Sequence, residues 1–146
     1  MGAAAGKYAE MQAARLAQLR GVSPPALDAF IGSLAKATAL PQVQYHFERH
    51  GADFGAATTE DYRRLFLDHI RRADLRYFTC VHPRFGSRMW YLVGMDDGAV
   101  AQYNQSRQVY WSFYRVTNLG KFLEFGRGWW VEVVRTPSGW EAKPWV

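Results

Sequence analysis

The sequence predicts an α+β domain in which N-terminal helices pack on an antiparallel sheet of about four to six strands, and three observations carry that reading. Apolar residues recur at helical spacing up to Asp74 and at alternating spacing after it. Compact turn signals separate the alternating segments, above all Asp96-Asp97-Gly98 and Thr136-Pro137-Ser138-Gly139. Helices first and strands afterwards is the order of an α+β fold. With 146 residues, 49% of them hydrophobic, the chain can form one core of ordinary size but not two.

The elements follow in order. Helix formers with a thin apolar stripe (Met11, Leu16, Leu19) run to Gly21. Ser23 suits an N-cap and Pro24-Pro25 a first turn, with Leu27, Phe30, Ile31 and Leu34 at helical spacing behind them. Residues 1–40 hold no reactive grouping and read as a helical linker or docking arm, leaving 41–146 as the part that carries chemistry. Val43, Phe47 and His50 predict a short helix from Pro41, with Gly51 in the position just past its end. Thr58 or Thr59 caps the next helix, whose buried stripe is Tyr62, Leu65, Phe66, His69 and Ile70. Its other face carries Arg63, Arg64, Arg71 and Arg72, a solvated face or a phosphate-binding one. Predicted strands span Arg76–His82, Arg88–Met95, Ala99–Tyr103, Val109–Val116, Trp129–Arg135 and Trp140–Val146, with a short element at Phe122–Phe125.

Composition bounds the function. No run of eighteen apolar residues is present, so no membrane-spanning segment is predicted, and the Ala-rich opening lacks the apolar core of a secretory signal. Cys80, the single cysteine, cannot form an intramolecular disulfide. The formal net charge is +5, and fourteen of the eighteen Lys and Arg residues are arginine, the side chain that grips phosphate bidentately and stacks on bases. Six Trp, eight Tyr and nine Phe complete an arginine-plus-aromatic composition suited to single-stranded nucleic acid, although packing a core uses the same aromatics.

Candidate chemistry concentrates between His46 and Tyr62. His46 and His50 stand four apart, on one face of a helix, and histidine is the side chain suited to moving protons near neutral pH. Cleaving a phosphodiester without a metal needs a base, an acid and a cation, and RNA brings its own nucleophile in the 2′-hydroxyl. His46 and His50 are the candidate proton carriers; Arg49, Arg63, Arg64 and Arg107 the candidate phosphate ligands; Thr59 and Tyr62 candidate hydrogen-bond donors. A second catalytic surface is expected on Val109–Val116, where the two-residue period groups Tyr110, Ser112 and Tyr114 on one face and Trp111, Phe113 and Arg115 on the other. Ser112 and Tyr114 are counted among the catalytic candidates. No metal and no cofactor is called for.

The segment His46, Arg49-His50-Gly51, Asp53-Phe54-Gly55 and Thr59-Glu60-Asp61-Tyr62 resembles the opening motif of toxin nucleases in the superfamily that groups barnase, EndoU, the tRNA-cutting colicins and RelE. The resemblance covers about an eighth of the chain. It implies a metal-independent endoribonuclease, with 41–146 as a catalytic toxin domain that cuts tRNA or another structured RNA to a 2′,3′-cyclic phosphate. It implies further a secreted or delivered effector that acts in the cytoplasm of a target cell, and a cognate immunity protein as partner. Where such domains carry Gly-x-(Ile/Val)-x-Thr, this chain has Gly98-Ala99-Val100-Ala101, without the threonine, and it runs on for more than forty residues beyond.

Rival readings remain open. His46 and His50 have the spacing of a helical metal pair, with His69 as a third candidate ligand, but Glu48 is misplaced for His-Glu-x-x-His. Cys80 and His82 alternate on a strand as a nucleophile and base would, and as a core cysteine also would. Arg76, Ser112 and Glu124 or Glu132 stand in the chain order of a mono-ADP-ribosyltransferase toxin that uses NAD. A binding module without chemistry would use exposed tryptophans among Trp129, Trp130, Trp140 and Trp145.

Overall fold

The computed structural model describes residues 3–146, so the first two residues of the expected arm lie outside it. In chain order the elements are α1 (Ala3–Arg20), α2 (Pro24–Leu34), α3 (Val43–His50), a 3₁₀ turn (Gly51–Phe54), α4 (Thr59–Ile70), β1 (Arg76–Val81), β2 (Arg88–Val93), β3 (Ala99–Asn104), β4 (Val109–Arg115), α5 (Leu119–Phe125), β5 (Val131–Thr136) and β6 (Gly139–Pro144). The fold is α+β, with a six-stranded antiparallel sheet in the order β4-β3-β2-β1-β5-β6.

Local chemistry explains the boundaries. The Ser23 hydroxyl accepts the Ala26 N–H at the start of α2, and the Thr58 hydroxyl accepts the Asp61 N–H at the start of α4, where Glu60 and Asp61 also complement the helix dipole. The expected short element at Phe122–Phe125 is α5, capped by the Asn118 side chain on the Lys121 N–H. Strands β1 to β4 form a meander by hairpins. The chain then crosses back through α5 so that β5 pairs with β1 on its free side.

Two apolar layers sandwich the sheet. On one face α2 (Leu27, Ile31, Leu34) and α4 (Tyr62, Phe66, Ile70) pack on Trp90, Leu92, Ala101, Tyr110, Phe113 and Val133. On the other, Phe122 and Leu123 of α5 close over Phe78, Tyr91, Val93, Val100 and Trp130. Residues 6–40 are built into this body and are not an arm ahead of it. Leu16 and Leu19 lie in the helix-side core, and the buried Arg15 guanidinium donates to Thr79 Oγ1 from Nε at 3.1 Å and Nη2 at 2.9 Å and to Gln105 Oε1 at 3.0 Å. Burial of that cation lowers its pKa to about 10.

The tandem tryptophans are also core. Trp129 and Trp130 precede β5 instead of opening it, both backbone N–H groups donate to the Gly126 carbonyl, and Trp130 stacks on Tyr91 at 4.7 Å. Both are buried, and the binding-module reading loses its two most prominent anchors.

The four strands from β1 to β4 expose one free edge, at β4, and this edge positions the site. The segment after α2 runs beside it, with the Tyr110 N–H donating to the Ala39 carbonyl at 2.9 Å. Gln42, at φ 57°, then turns the chain into α3.

Candidate functional site on the α3–β4 flank

Helix α3 lies against β4 with its two faces committed to different neighbours. Phe47 meets Tyr62 of α4 with ring centroids 6.3 Å apart. His46 and His50 face β4 instead: His46 Nδ1 is 3.5 Å from Ser112 Oγ, and the His50 ring lies 5.9 Å from that of Tyr114. The two imidazoles are near-parallel at 6.4 Å. The Tyr114 hydroxyl donates to Gln102 Oε1 at 3.4 Å, which brings a β3 side chain under the group. Four of the sequence-predicted site residues, His46, His50, Ser112 and Tyr114, are thus one cluster.

Both histidines titrate below their ordinary value. Burial is the first cause for His46, followed by the charge of His50 and then Arg49, with the Pro41 carbonyl opposing. For His50 burial again leads, Arg49 adds to it, and Asp53 pulls the other way. A proton on His50 disfavours one on His46. The desolvated Tyr114 phenol is pushed well above its ordinary pKa and remains a hydroxyl donor at neutral pH.

Much of the His46-to-Tyr62 motif is scaffolding that presses α3 onto β4. Phe54 stacks on Phe113 at 4.2 Å, and Arg115 lies over Phe54 at 4.9 Å while donating to the Asp53 carbonyl at 2.7 Å. Gly55 takes the left-handed conformation at φ 67°. Gly51 does not: it is right-handed at φ −59° and opens the 3₁₀ turn, and the reason for glycine is the Phe47 ring, whose Cδ1 a Cβ would meet at 2.6 Å. Gly51 thus stands just past the end of α3, as expected, and the close ring contact is what calls for glycine there.

Two catalytic candidates, Tyr62 and Thr59, leave the cluster, and so does Tyr110, which was expected on the same face as Ser112. Tyr62 is fully buried on the helix side, where its hydroxyl donates to the Phe113 carbonyl and burial raises its pKa. Thr59 bonds through its hydroxyl to the Gln44 side chain, tying α4 to the exposed side of α3. Tyr110 is buried with its hydroxyl on the Leu34 carbonyl at 2.7 Å. The cause is a β-bulge: Tyr103 pairs with Tyr110 and Gln102 with Ser112, so Trp111 is an extra residue that resets the alternation. Tyr110 and Phe113 face the helices, while Trp111, Ser112 and Tyr114 face the other way, instead of the expected grouping.

The arginines divide similarly. Arg49 is exposed one turn from His46, its guanidinium over the Tyr45 ring at 5.5 Å and donating to the Tyr45 hydroxyl at 2.8 Å. Arg64 pairs with Asp61 at 2.8 Å, and Arg63 is exposed on the same outer surface of α4. Arg72 holds Asp74, Asp96 and Asp97 at 2.9, 2.6 and 2.9 Å, a structural clamp on the β2–β3 turn. Arg107 is exposed in the β3–β4 turn, at the far end of β4 from Tyr114.

Rival constellations disperse. His69 lies on the helix-covered face with Nε2 donating to the Leu92 carbonyl at 2.9 Å, across the sheet from the histidine pair. The Cys80 thiol is buried and pushed up to about 12 by desolvation. Arg76 closes on Glu132 at 2.6 Å, with β2 and β3 standing between it and Ser112, and Glu124 pairs with Arg127 at 3.1 Å. A cleft of about 530 Å³ lies between α2, α4 and β1 and includes Asp28, Tyr77 and Trp140, but Asp28 is engaged there by Trp140 Nε1 and Arg135. The histidine cluster sits outside it, on an open flank. Gln102 completes the site, and the sequence showed it only as a polar residue interrupting Ala-Val-Ala-Gln-Tyr. The chain matches no family model, no curated protein and no solved structure.

Proposed function

We propose that the chain is a metal-independent endoribonuclease of the toxin type, cutting tRNA or another structured RNA through 2′-hydroxyl attack. The observation that carries the reading is the His46–His50 pair set against Ser112 and Tyr114, two proton carriers and two hydroxyl donors from separate elements facing one surface. The neutral imidazole takes the 2′-hydroxyl proton, the 2′-oxygen attacks phosphorus, and the protonated imidazole gives its proton to the departing 5′-oxygen. The products are a 2′,3′-cyclic phosphate and a 5′-hydroxyl. Ser112, Tyr114 and Arg49 steady the charge on the phosphoryl oxygens, and Arg63, Arg64 and Arg107 act as more distant phosphate ligands. An open flank suits a polymer laid across the surface better than a small molecule that needs enclosure.

The resemblance of the His46-to-Tyr62 segment to the barnase/EndoU/colicin/RelE grouping supports the same activity, and with it delivery into a target cell and neutralisation by an immunity protein. The test is incubation of the purified chain with total RNA in EDTA, and separately with labelled NAD. RNA cleavage with cyclic-phosphate ends supports the proposal; label transfer from NAD, or silence in both reactions, overturns it.

A further inference from the structure

Resting on the ribonuclease reading, we propose that the end of the sheet formed by the turns 82–87 and 105–108 binds an unpaired stretch of the RNA beside the His46–Ser112 centre. A base lies on the Phe85 ring, and phosphates lie on Arg84 and Arg107. Charge is the first argument. Between Leu75 and Leu123 the acidic residues are Asp96 and Asp97 alone. Both sit in the turn after β2, at the opposite end of the sheet, where Arg72 already holds them. The 82–87 and 105–108 end is free of carboxylates in sequence and carries two arginines, Arg84 and Arg107.

Geometry is the second. The two turns adjoin: the Gln105 N–H donates to the Arg88 carbonyl at 2.8 Å and the Arg88 N–H to Ser106 Oγ at 3.0 Å. Phe85 is 55% exposed, so its ring is open to a ligand from solvent. It is held by Trp111 edge-on at 5.3 Å and by His82 at 4.7 Å, with the Arg84 guanidinium 5.4 Å above it. Trp111 is the bulged residue next to Ser112, so this aromatic group borders the reacting centre directly. Bases stacked inside a duplex cannot reach such a ring, whereas an unpaired loop or single strand can. An acidic protein would engage the arginines without needing the ring.

The test uses the full chain carrying His46→Ala, which leaves bound RNA intact, and a fluorescein-labelled ten-nucleotide RNA offered as a single strand or annealed to its complement. The single strand is expected to bind on the order of tenfold more tightly than the duplex, Phe85→Ala to cost on the order of tenfold, and Phe85→Trp to retain binding. Arg84→Ala should lower the log–log salt slope by about 0.7. Equal affinity for the duplex, or single-strand binding unchanged by Phe85→Ala, overturns the proposal. Failure of the parent chain to cut RNA in EDTA strikes the ribonuclease reading alone, because the Phe85 dependence of binding is read on a variant that does not cut.

Discussion

Replacing Gly51 by alanine isolates the contact that holds the histidine helix in place. Gly51 has φ −59° and ψ −39°, so the backbone accepts any residue there, and helical propensity alone would favour alanine by about 1 kcal/mol. Space opposes it. A Cβ would lie 2.6 Å from Phe47 Cδ1 and 2.8 Å from Cε1, about 1 Å inside ordinary carbon contact, and Phe47 is pinned between α3 and Tyr62. Overpacking of this kind costs about 1–3 kcal/mol, which leaves a net loss of about 1 kcal/mol for Gly51→Ala. Gly51→Asn, with a longer side chain, should lose more. Gly55→Ala is the control: nothing lies within 4 Å, and the φ of 67° alone should cost about 1 kcal/mol. Urea unfolding midpoints of the three variants read these differences. A Gly51→Ala chain more stable than the parent, or an asparagine tolerated better than alanine, would refute the ring-contact account.

Two further outcomes follow from the same geometry. His46, His50, His69 and His82 all titrate below their ordinary value, with burial the leading cause in each. The unfolded chain therefore takes up protons first as pH falls below about 6.5, and stability should drop between pH 7.5 and 5.5; a urea midpoint constant or rising over that interval would contradict it. Tyr62→Phe removes a buried hydroxyl that donates to the Phe113 carbonyl, so it should cost about 1 kcal/mol in unfolding free energy while RNA cleavage persists. A folded Tyr62→Phe chain that has lost more than a hundredfold in cleavage would return Tyr62 to the catalytic group.

What the sequence revealed and what it hid divide along physical lines. Period and turn chemistry made the elements legible: Ser23 and Thr58 cap helices as their residue types dictate, and Asp97-Gly98 turns β2 into β3. The four-residue spacing of His46 and His50 was enough to place both rings on one side of α3. Position on β4 was not legible, because a bulge at Trp111 depends on pairing with β3 and leaves the residue pattern of β4 itself unchanged. Tyr62 and Tyr110 read as donors by type and became core by context, each hydroxyl satisfied by a backbone carbonyl that only the folded chain supplies. The same holds for residues 6–40, whose thin apolar stripe hid a buried arginine bonded to Thr79 and Gln105.

The central claim is that His46 and His50 share the proton transfers, and the pH dependence of kcat/KM for RNA cleavage in EDTA, measured for the parent, His46→Ala and His50→Ala, tests it most directly. With both imidazoles titrating below the ordinary value, the parent profile should be bell-shaped with its maximum on the acidic side of pH 6.5. Each variant should lose roughly a hundred- to ten-thousandfold of the rate, together with one limb of the bell. A profile flat through pH 4–8, or either variant within a few-fold of the parent, would contradict the account.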